Sequence, residues 1–253
     1  MSAGASPAGV EPGNEAEAAR TIREMFGRVA PRYDLLNRLL SMSIDQHWRR
    51  YLVRQVRHYL ANPQARVLDL CCGTGDLLLA LAAARRRLCG PDTQPVVGSD
   101  FCRPMLMTAA QKAQRSRLAT PLVEADALQF PLPGGSLDLI TIAWGFRNFA
   151  NYRRGLEEMY RLLRPNGCLA ILEFSQPTNR VWGPLFNLYF RQVLPRVGNA
   201  ISGAGAAYSY LQRSVERFPT PPELAAVIQS CGFRKVQFHP LTGGITVLHL
   251  AYK

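Results

Sequence analysis

The segment from Val67 to Asp76, with the sequence VLDLCCGTGD, constrains the fold more than any other part of the chain. A short apolar run typical of a buried strand passes directly into a glycine-containing loop, and a helical pattern begins at Asp76. In doubly wound α/β folds, a strand–loop–helix junction of this kind binds nucleotides at the helix N-terminus. The segment therefore predicts a nucleoside site in an α/β sheet.

The rest of the chain repeats this alternation of short apolar runs and helical patterns. The predicted strands are Arg66–Cys71, Val96–Asp100, Pro121–Ala125, Leu137–Trp144, Cys168–Phe174, Lys235–Pro240 and Ile245–Tyr252. Strands that alternate with helices predict a parallel sheet with helices on both faces. The last two strands are joined only by Leu241–Gly244, which fits an antiparallel hairpin that closes the sheet edge with a reversed strand. The predicted fold class is therefore α/β, a doubly wound, mostly parallel seven-stranded sheet with an antiparallel last strand.

The length and local composition of the chain indicate one domain that follows a short tail and contains a helical cap and an insertion. Its 253 residues suffice for a single well-buried core. Residues 1–14 are expected to form a flexible tail, so the predicted domain spans residues 15–253. Within it, residues 15–60 are predicted to form an N-terminal helical cap that is broken near Pro31. Residues 175–219 are rich in aromatic residues and glycine, and they predict an insertion on the substrate side.

The charge and the cysteine content of the chain limit which binding partners and which cellular compartment are expected. The formal net charge of +12 favours anionic partners such as nucleic acid, an acidic membrane surface or phosphate-bearing ligands, although a solvated basic surface fits equally well. The longest apolar run, Leu77–Ala84, is far too short for a membrane span, and no signal peptide is visible. The six cysteines lack zinc spacing, so we predict reduced thiols and no metal site. The expected location is cytoplasmic, with peripheral contact with an anionic membrane.

Four residues of the glycine loop are candidates for holding a nucleoside that carries a methionine moiety. Gly73 and Gly75 allow the backbone to approach a ligand closely and to turn tightly into the helix. Asp69 suits the ammonium group of the methionine moiety, directly or through water. Thr74 offers a hydroxyl or a backbone N–H to the carboxylate, aided by the helix N-terminus.

Two acidic strand ends complete the candidate nucleoside site. Asp100 ends the second predicted strand and is placed to accept both ribose hydroxyls, and Asp126 follows the third and is placed to accept from the adenine amino group. A dinucleotide site would require G-x-G-x-x-G and a pyrophosphate cradle, for which the carboxylate of Asp76 is unfavourable. The alternative is that Asp100 and Asp126 are turn or N-cap residues. The loop and the acidic residues after it predict S-adenosylmethionine as cofactor and a class I S-adenosylmethionine-dependent methyltransferase.

Longer motifs extend over nearly the whole chain, from about Thr21 to Lys253. They are Val29–Asn37 (VAPRYDLLN), Trp48–Arg49, Cys71–Asp76 (CCGTGD), Ser99–Phe101, Gly145–Asn148 (GFRN), Glu173–Pro177 (EFSQP), Tyr208–Leu211 (YSYL), Ser214, Phe218–Pro219 and Leu248–Lys253 (LHLAYK). In these motifs the chain resembles the family of ubiquinone/menaquinone biosynthesis C-methyltransferases. The cofactor contacts that the resemblance implies are Thr74, Asp100, Asp126 and Ala127. It also implies methylation of a ring carbon of a polyprenylated hydroquinone.

The sequence departs from the family pattern at three positions where the fourth predicted strand ends. The family usually has Ser-Phe-Gly-Leu-Arg-Asn there, and this chain has Ala143, Trp144 and Phe146 in place of the serine, the phenylalanine and the leucine. The family's serine contact with the cofactor is therefore lost at Ala143. Trp144 is expected to reshape the floor of the pocket.

The methyl donor is already activated, so the enzyme mainly has to align the donor with the acceptor carbon. An aromatic carbon is a poor nucleophile, so its methylation requires an electron-rich ring. A positive or hydrogen-bonding group near the ring oxygen is therefore expected, since it favours the phenolate. The candidate catalytic residues are Arg147 as the electrostatic partner of the phenolate, Asn148 to orient the ring oxygen, and Tyr33 to cap the site. His249 and His47 are alternative bases. The alternative role of Arg147 is a salt bridge with a carboxylate at the end of the sheet.

Two other functional classes fit parts of the sequence. An RNA methyltransferase would explain the basic charge, but no Asn/Asp-Pro-Pro-Tyr motif follows the fourth predicted strand. An inactive scaffold of a quinone-synthesis complex would not need an intact loop and acidic strand ends. We therefore predict methylation of demethylmenaquinol in menaquinone biosynthesis, with methylation of a 2-methoxy-6-polyprenyl-1,4-benzoquinol in ubiquinone biosynthesis as the alternative. No nucleic-acid partner is expected, and a homo-oligomer stays open.

Overall fold

The computed structural model describes residues 15–30, 34, 41, 43–177 and 205–253, and its elements are numbered here in chain order. The helices are α1 (Glu15–Val29), α2 (Asp45–Gln55), α3 (Arg57–Leu60), α4 (Asp76–Cys89), α5 (Arg103–Ser116), α6 (Tyr152–Leu162), α7 (Gly205–Arg217) and α8 (Pro221–Ser230). The strands are β1 (Val67–Leu70), β2 (Val96–Asp100), β3 (Leu122–Glu124), β4 (Leu137–Ala143), β5 (Leu163–Phe174), β6 (Lys235–Leu241) and β7 (Thr246–Tyr252). Short 3₁₀ turns follow β4 at Phe146–Asn148 and β6 at Thr242–Gly244.

The described strands form one seven-stranded sheet in the order β3-β2-β1-β4-β5-β7-β6. The strands β1 to β5 pair in parallel, and β7 runs antiparallel to both β5 and β6. This confirms the predicted fold class. The predicted place of the reversed strand at the sheet edge is wrong, since β7 lies between β5 and β6. Thr246–Ala251 are all buried, whereas β6 is partly exposed, so β7 suits an inner position and β6 suits the edge.

Apolar side chains cover both faces of the sheet, as a doubly wound fold requires. One layer joins the sheet to α6 and α8 and includes Ile140, Ile171, Leu156, Met159 and Leu224. The other joins it to α2 and α4 and includes Leu139, Leu172, Leu52, Leu78 and Leu81. Residues that follow one another along β4, and likewise along β5, therefore pack in opposite layers. Burial on both faces explains why the central strands are continuous apolar runs rather than alternating ones.

The strand β5 is longer than predicted. It begins at Leu163 rather than Cys168, because Leu163 pairs with Leu137 of β4 before a register shift. Asn166 takes a positive φ of 65° within this stretch, which is a bulge-like irregularity that also accommodates Pro165. Helix α6 ends at Leu162, and the Arg-Pro-Asn-Gly sequence that follows continues along the sheet as part of β5.

Two helices begin with side-chain caps that the local sequence supplies. At the start of α8, Thr220 and Glu223 form a reciprocal capping box, and Pro221 occupies the first turn, where no N–H is needed. At the start of α6, the Asn151 side chain accepts a hydrogen bond from the backbone N–H of Arg154. These caps fix where the chain turns back from the sheet after β4 and before β6.

Some of the predictions fall wholly or partly outside the described residues. In the predicted cap, residues 15–60, the described parts are helical in α1, α2 and α3. Tyr33 lies outside the described residues, as do the predicted tail, residues 1–14, and residues 178–204 of the predicted insertion.

The packing of Gly155 in α6 yields a stability test with an unusual sign. Alanine normally stabilises a helix relative to glycine by about 1 kcal/mol. A Cβ at Gly155, however, would lie 2.5 Å from Cδ2 of the buried Phe149 ring. We expect Gly155→Ala to destabilise the protein by about 1–3 kcal/mol, as overpacked cores do. Denaturant unfolding measures this change.

The matched control is Gly27→Ala in α1. A Cβ at Gly27 would meet its nearest atom, Cγ of Pro104, at 3.8 Å, which is ordinary contact. This variant should be neutral or stabilise the protein by up to about 1 kcal/mol. If Gly155→Ala is also neutral or stabilising, that result would contradict the close packing of α6 against Phe149.

Candidate active site

A cavity of about 290 Å³ opens at the carboxyl ends of β1, β2 and β4. These strands flank the point where the strand order reverses, which is where open α/β sheets bind ligands. Helix α1 supplies one wall. Five of the predicted site residues line the cavity, namely Gly73, Asp100, Asp126, Ala127 and Asn148. Asp69, Thr74, Gly75 and Arg147 lie beside it without lining it.

The glycine loop gives its two glycines different roles. Gly73 has a φ of 54°, and a Cβ there would meet no atom within 4 Å, so the space in front of it is open. Gly75 has a φ of 86°, and a Cβ there would lie 3.0 Å from Cβ of Ala109 in α5. Both positions favour glycine because φ is positive. Gly73 therefore leaves room for a ligand, whereas Gly75 lets α5 pack against the loop.

Asp100 is held rigidly at the edge of the cavity. Its Oδ2 accepts from the backbone N–H of Gly73 at 2.9 Å, and its Oδ1 accepts from that of Cys102 at 2.9 Å. The residue is 8% exposed, and burial raises the pKa of its carboxyl group. The carboxylate thus organises the turn, which is its alternative role, and it also lines the cavity, where the ribose contact is predicted. Each oxygen retains a lone pair that a ribose hydroxyl can use.

Asp126 and Ala127 follow β3 on the far side of the cavity. The Oδ1 of Asp126 accepts from the backbone N–H of Leu128 at 2.9 Å, which is a local turn contact. Asp126 is nevertheless exposed and lines the cavity. The predicted contact with an adenine amino group therefore remains sterically open.

Asp69 occupies a more secluded position than the sequence suggested. It is 1% exposed at the centre of β1, and the Thr141 hydroxyl donates to its Oδ1 at 2.6 Å. Burial raises the pKa of Asp69 to about 7. A contact with a methionine ammonium group would therefore have to be indirect, as through the water that the sequence analysis allowed.

Thr74 joins the glycine loop to the N-terminal cap. Its hydroxyl donates to Oδ1 of Asp34 at 2.5 Å, and Lys112 of α5 donates to Oδ2 of Asp34 at 2.8 Å. Lys112 also pairs with Asp76 at the start of α4. Asp76 in turn lies 3.3 Å from Nη2 of Arg49. The backbone N–H of Thr74 is the group left for the cofactor carboxylate, since the hydroxyl is engaged.

Sequence reasoning missed Asp34, Lys112 and Arg49 as parts of this network. Arg49 and Asp34 belong to the motifs Trp48–Arg49 and Val29–Asn37, but no role was predicted for either residue. Lys112 is one of only three lysines in an arginine-rich chain. The carboxylate at the start of α4 was the available signal, because a half-buried Asp76 needs a cation. Nothing in the local pattern identified which cation it would be.

Arg147 forms the salt bridge that the sequence analysis gave as its alternative role. Its Nη1 lies 2.8 Å from Oε1 of Glu173 at the end of β5 and also donates to the carbonyl oxygen of Trp144. Its backbone N–H donates to Oε2 of Glu173 at 3.1 Å. Both side chains are buried, at 5% and 1% exposure. The guanidinium group therefore lies directly behind the turn that carries Asn148, and not in the cavity wall.

Asn148 lines the cavity with an oriented amide. The Tyr210 hydroxyl of α7 donates to Oδ1 of Asn148 at 2.9 Å. Because the oxygen accepts this bond, the Nδ2 group is the end that can donate to a ligand. Burial raises the pKa of Tyr210, so its hydroxyl remains a proton donor at neutral pH. Tyr210 was part of a quoted motif but was not predicted as a site residue.

Trp144 and Ala143, two of the three departures from the family pattern, both line the cavity. Trp144 is 9% exposed and has a positive φ of 54°, which is rare for a bulky residue. Its ring packs near Trp48 and Phe174, with centroid distances of 6.0 and 5.7 Å. The expectation that Trp144 lies at the pocket is consistent with this position.

The two alternative bases do not line the cavity. His249 is 2% exposed within β7, and its Nε2 lies 3.1 Å from the carbonyl oxygen of Pro221. Burial lowers the pKa of His249 to about 4, so it is neutral at physiological pH. His47 lies on an exposed position of α2. The burial and the hydrogen bond of His249 favour a structural role for that residue.

A model of the ubiE/COQ5 methyltransferase family matches residues 14–253. The chain belongs to this family. It is 47% identical to a demethylmenaquinone methyltransferase of Thermus thermophilus, covering 89% of this chain and 98% of the relative. It is 44% identical to one of Deinococcus radiodurans, covering 92% of each. It is also 44% identical to a ubiquinone/menaquinone biosynthesis C-methyltransferase of Syntrophotalea carbinolica, covering 90% of this chain and 92% of the relative.

Solved structures agree on the fold. An S-adenosylmethionine-dependent methyltransferase from Aquifex aeolicus superimposes with a TM-score of 0.56 at 19% identity, covering 79% of this chain and 87% of that one. One from Thermotoga maritima gives a TM-score of 0.58 at 15% identity, covering 91% and 98%. These confirm the class I methyltransferase fold. This member of the ubiE/COQ5 methyltransferase family is thus an enzyme, and S-adenosylmethionine is its methyl donor.

The position of Asp100 predicts a selective loss of cofactor affinity. Asp100→Ala removes a buried carboxylate beside the open space at Gly73. Hydrogen bonds to charged groups contribute about 1.5–3 kcal/mol each, so the Kd for S-adenosylmethionine should rise by roughly tenfold to over a hundredfold. Isothermal titration calorimetry measures this Kd, and Asp92→Ala in an exposed loop is the control. An unaltered Kd would exclude Asp100 from the cofactor site.

Proposed function

We propose that the protein transfers a methyl group to a ring carbon of demethylmenaquinol, as the names of its relatives in Thermus and Deinococcus state for those proteins. The observation that carries the proposal is the shared cavity at the carboxyl ends of β1, β2 and β4. Gly73 and Asp100 lie on one side of it, and the oriented amide of Asn148 lies on another. A nucleoside and an aromatic ring can therefore meet there.

The residues present fit S-adenosylmethionine. Asp100 would hold the ribose hydroxyls, Asp126 the adenine amino group, and the backbone of Gly73 and Ala127 would bound the nucleoside. The bound cofactor supplies an electrophilic methyl group on a positively charged sulfur. The protein contributes alignment and an electrostatic environment for the acceptor ring, which are the main sources of rate when the donor is already activated.

Asn148 is proposed to bind the oxygen of the quinol ring. Its amide Nδ2–H would donate to this oxygen, since Oδ1 is engaged by the Tyr210 hydroxyl. A hydrogen bond to the oxygen stabilises the phenolate and so raises the electron density at the neighbouring ring carbon. Tyr210 then acts as a positioning residue, because it fixes which end of the amide faces the cavity.

Arg147 is proposed to stabilise the same negative charge from behind the turn. Its guanidinium group is held beside Asn148 by Glu173 and by the carbonyl oxygen of Trp144. A buried charge acts over several ångströms because the surrounding dielectric constant is low. Tyr33, which lies outside the described residues, stays a proposed cap of the site.

Contact with a membrane is proposed because the substrate carries a polyprenyl tail. Among the described residues, no helix is both long enough and apolar enough to cross a membrane. The net charge of +12 would favour a peripheral contact with anionic lipid headgroups. Such a contact would place the cavity close to the layer in which the quinol dissolves.

The proposed function is tested by a direct assay of the full-length protein with S-adenosylmethionine. Reduced demethylmenaquinol and a 2-methoxy-6-polyprenyl-1,4-benzoquinol are offered separately with matched prenyl tails, and mass spectrometry detects addition of one methyl group. We expect methylation of the naphthoquinol with the higher kcat/KM. Preference for the benzoquinol would assign the enzyme to ubiquinone synthesis instead. Methylation of neither quinol would overturn the proposal.

Variants at Arg147 test its electrostatic role. Removal of Arg147 alone leaves the buried Glu173 without its partner and costs about 3–5 kcal/mol of stability. The informative variant is therefore Arg147→Ala with Glu173→Gln. We expect its kcat to fall by about a hundredfold or more, while the Kd for S-adenosylmethionine changes little.

Two controls separate chemistry from folding. Glu173→Gln alone keeps the guanidinium group and should retain most of the activity that the double variant loses. Arg147→Lys keeps a positive charge and should recover part of kcat. Unchanged turnover in the double variant would mean that Arg147 only supports the turn.

A further inference from the structure

A second cavity, also of about 290 Å³, lies at the opposite edge of the sheet from the active site. It is enclosed by the C-terminal ends of α4 and α5 and by the start of β2 at Val96. Three arginines line it, namely Arg85, Arg86 and Arg117. No acidic residue of the described chain lines it. A recess with three guanidinium groups and no carboxylate has a positive potential.

Arg85 is the buried member of this set and is only partly hydrogen-bonded. It is 1% exposed, and its Nη2 donates to the backbone carbonyl oxygens of Asn62, Pro63 and Ala65 at 2.7–2.9 Å. Its Nε and Nη1 are also buried, and neither has a hydrogen-bond partner among the residues that the structure describes. Buried guanidinium groups normally satisfy their remaining donors, because an unpaired buried donor is unfavourable.

Nearby negative charge does not neutralise Arg85. Asp138 is close enough to influence it, but this carboxylate already accepts from the backbone N–H of Arg66 and pairs with Arg164. Asp92 belongs to the loop beside the cavity but is exposed and does not line it. Burial accordingly lowers the pKa of Arg85, although an arginine remains charged at any physiological pH.

The negative partial charges of the two helix C-termini that border the cavity do not balance the positive charges of the three arginines. Each helix C-terminus carries a partial charge of about −0.5, so two of them supply about one negative charge against three guanidinium groups. One of these contacts is present, since Arg86 Nη1 donates to the carbonyl oxygen of Arg117 at 3.1 Å. That bond holds Arg86 across the gap between α4 and the end of α5. The positive charge of the recess remains in excess.

We propose that this cavity binds a small phosphate-bearing anion. The exposed Arg86 and Arg117 would donate to the phosphate oxygens from the rim, and the positive charge of the buried Arg85 would attract the anion, as in charge-assisted recognition of phosphate. The site lies at the amino ends of the strands, whereas methyl transfer occurs at their carboxyl ends. It is therefore a second ligand site, independent of the quinol and of the cofactor. Ordered water is the competing occupant of such a polar recess.

The test uses rim variants of the full-length protein, because Arg85 also anchors three carbonyl groups and its loss would disturb folding. The variant pair is Arg86→Gln with Arg117→Asn, where asparagine suits the positive φ of 53° at residue 117. The matched control pair is Arg87→Gln with Arg115→Gln, which removes two exposed arginines of the same helices that do not line the cavity. Both pairs lower the net charge by two.

Inorganic phosphate and pyrophosphate are titrated into each protein by calorimetry at constant ionic strength, in the presence of saturating S-adenosylhomocysteine. A second arm measures co-sedimentation with phosphatidylcholine vesicles with and without phosphatidic acid. We expect saturable phosphate binding that the rim pair weakens at least tenfold and the control pair leaves within twofold. Dependence of vesicle binding on the rim pair alone would identify a lipid headgroup as the source of the phosphate. Absence of binding in both arms, or equal losses in both variant pairs, would overturn the proposal.

Discussion

The buried ion pair between Arg147 and Glu173 is the interaction on which the active site depends. It joins the turn after β4 to the end of β5, and Glu173 also accepts from the backbone N–H groups of Arg147 and Phe174. Burial of two charges is tolerable only when their hydrogen-bonding capacity is used in this way. The pair fixes the 3₁₀ turn, which places Asn148 in the cavity wall. Arg147 therefore supports the geometry of this turn in addition to any electrostatic effect on the substrate.

A second set of charges connects the cofactor loop to the N-terminal cap. Lys112 is shared between Asp34 and Asp76, and the Thr74 hydroxyl is bonded to Asp34. Helix α1 covers the cavity from the same side. The cap and the glycine loop are thus one electrostatic unit, so binding at the loop and ordering of the cap are expected to favour each other.

The sequence was sufficient to predict the fold class because the strands have strong local signals. Burial on both faces makes each central strand a continuous apolar run, and Gly73 and Gly75 mark the loop after β1. Asp100 and Asp126 could be predicted because parallel strands place their carboxyl ends together. The partner of Arg147 lies 26 residues away on β5, and Lys112 and Asp34 are 78 residues apart. Such pairs arise from tertiary packing and leave no periodic trace in the sequence.

The inner position of β7 has a consequence for biosynthesis. β7 is the last strand along the chain, yet it pairs with β5 from Phe174 back to Cys168 and separates it from β6. Until residue 252 has left the ribosome, β5 presents an unpaired apolar edge, although all the strands before β6 have been made. Unpaired edges of this kind are where nascent chains associate wrongly. The sheet therefore closes only after β7 has been made, and the β5 edge is most vulnerable to wrong pairing before that point.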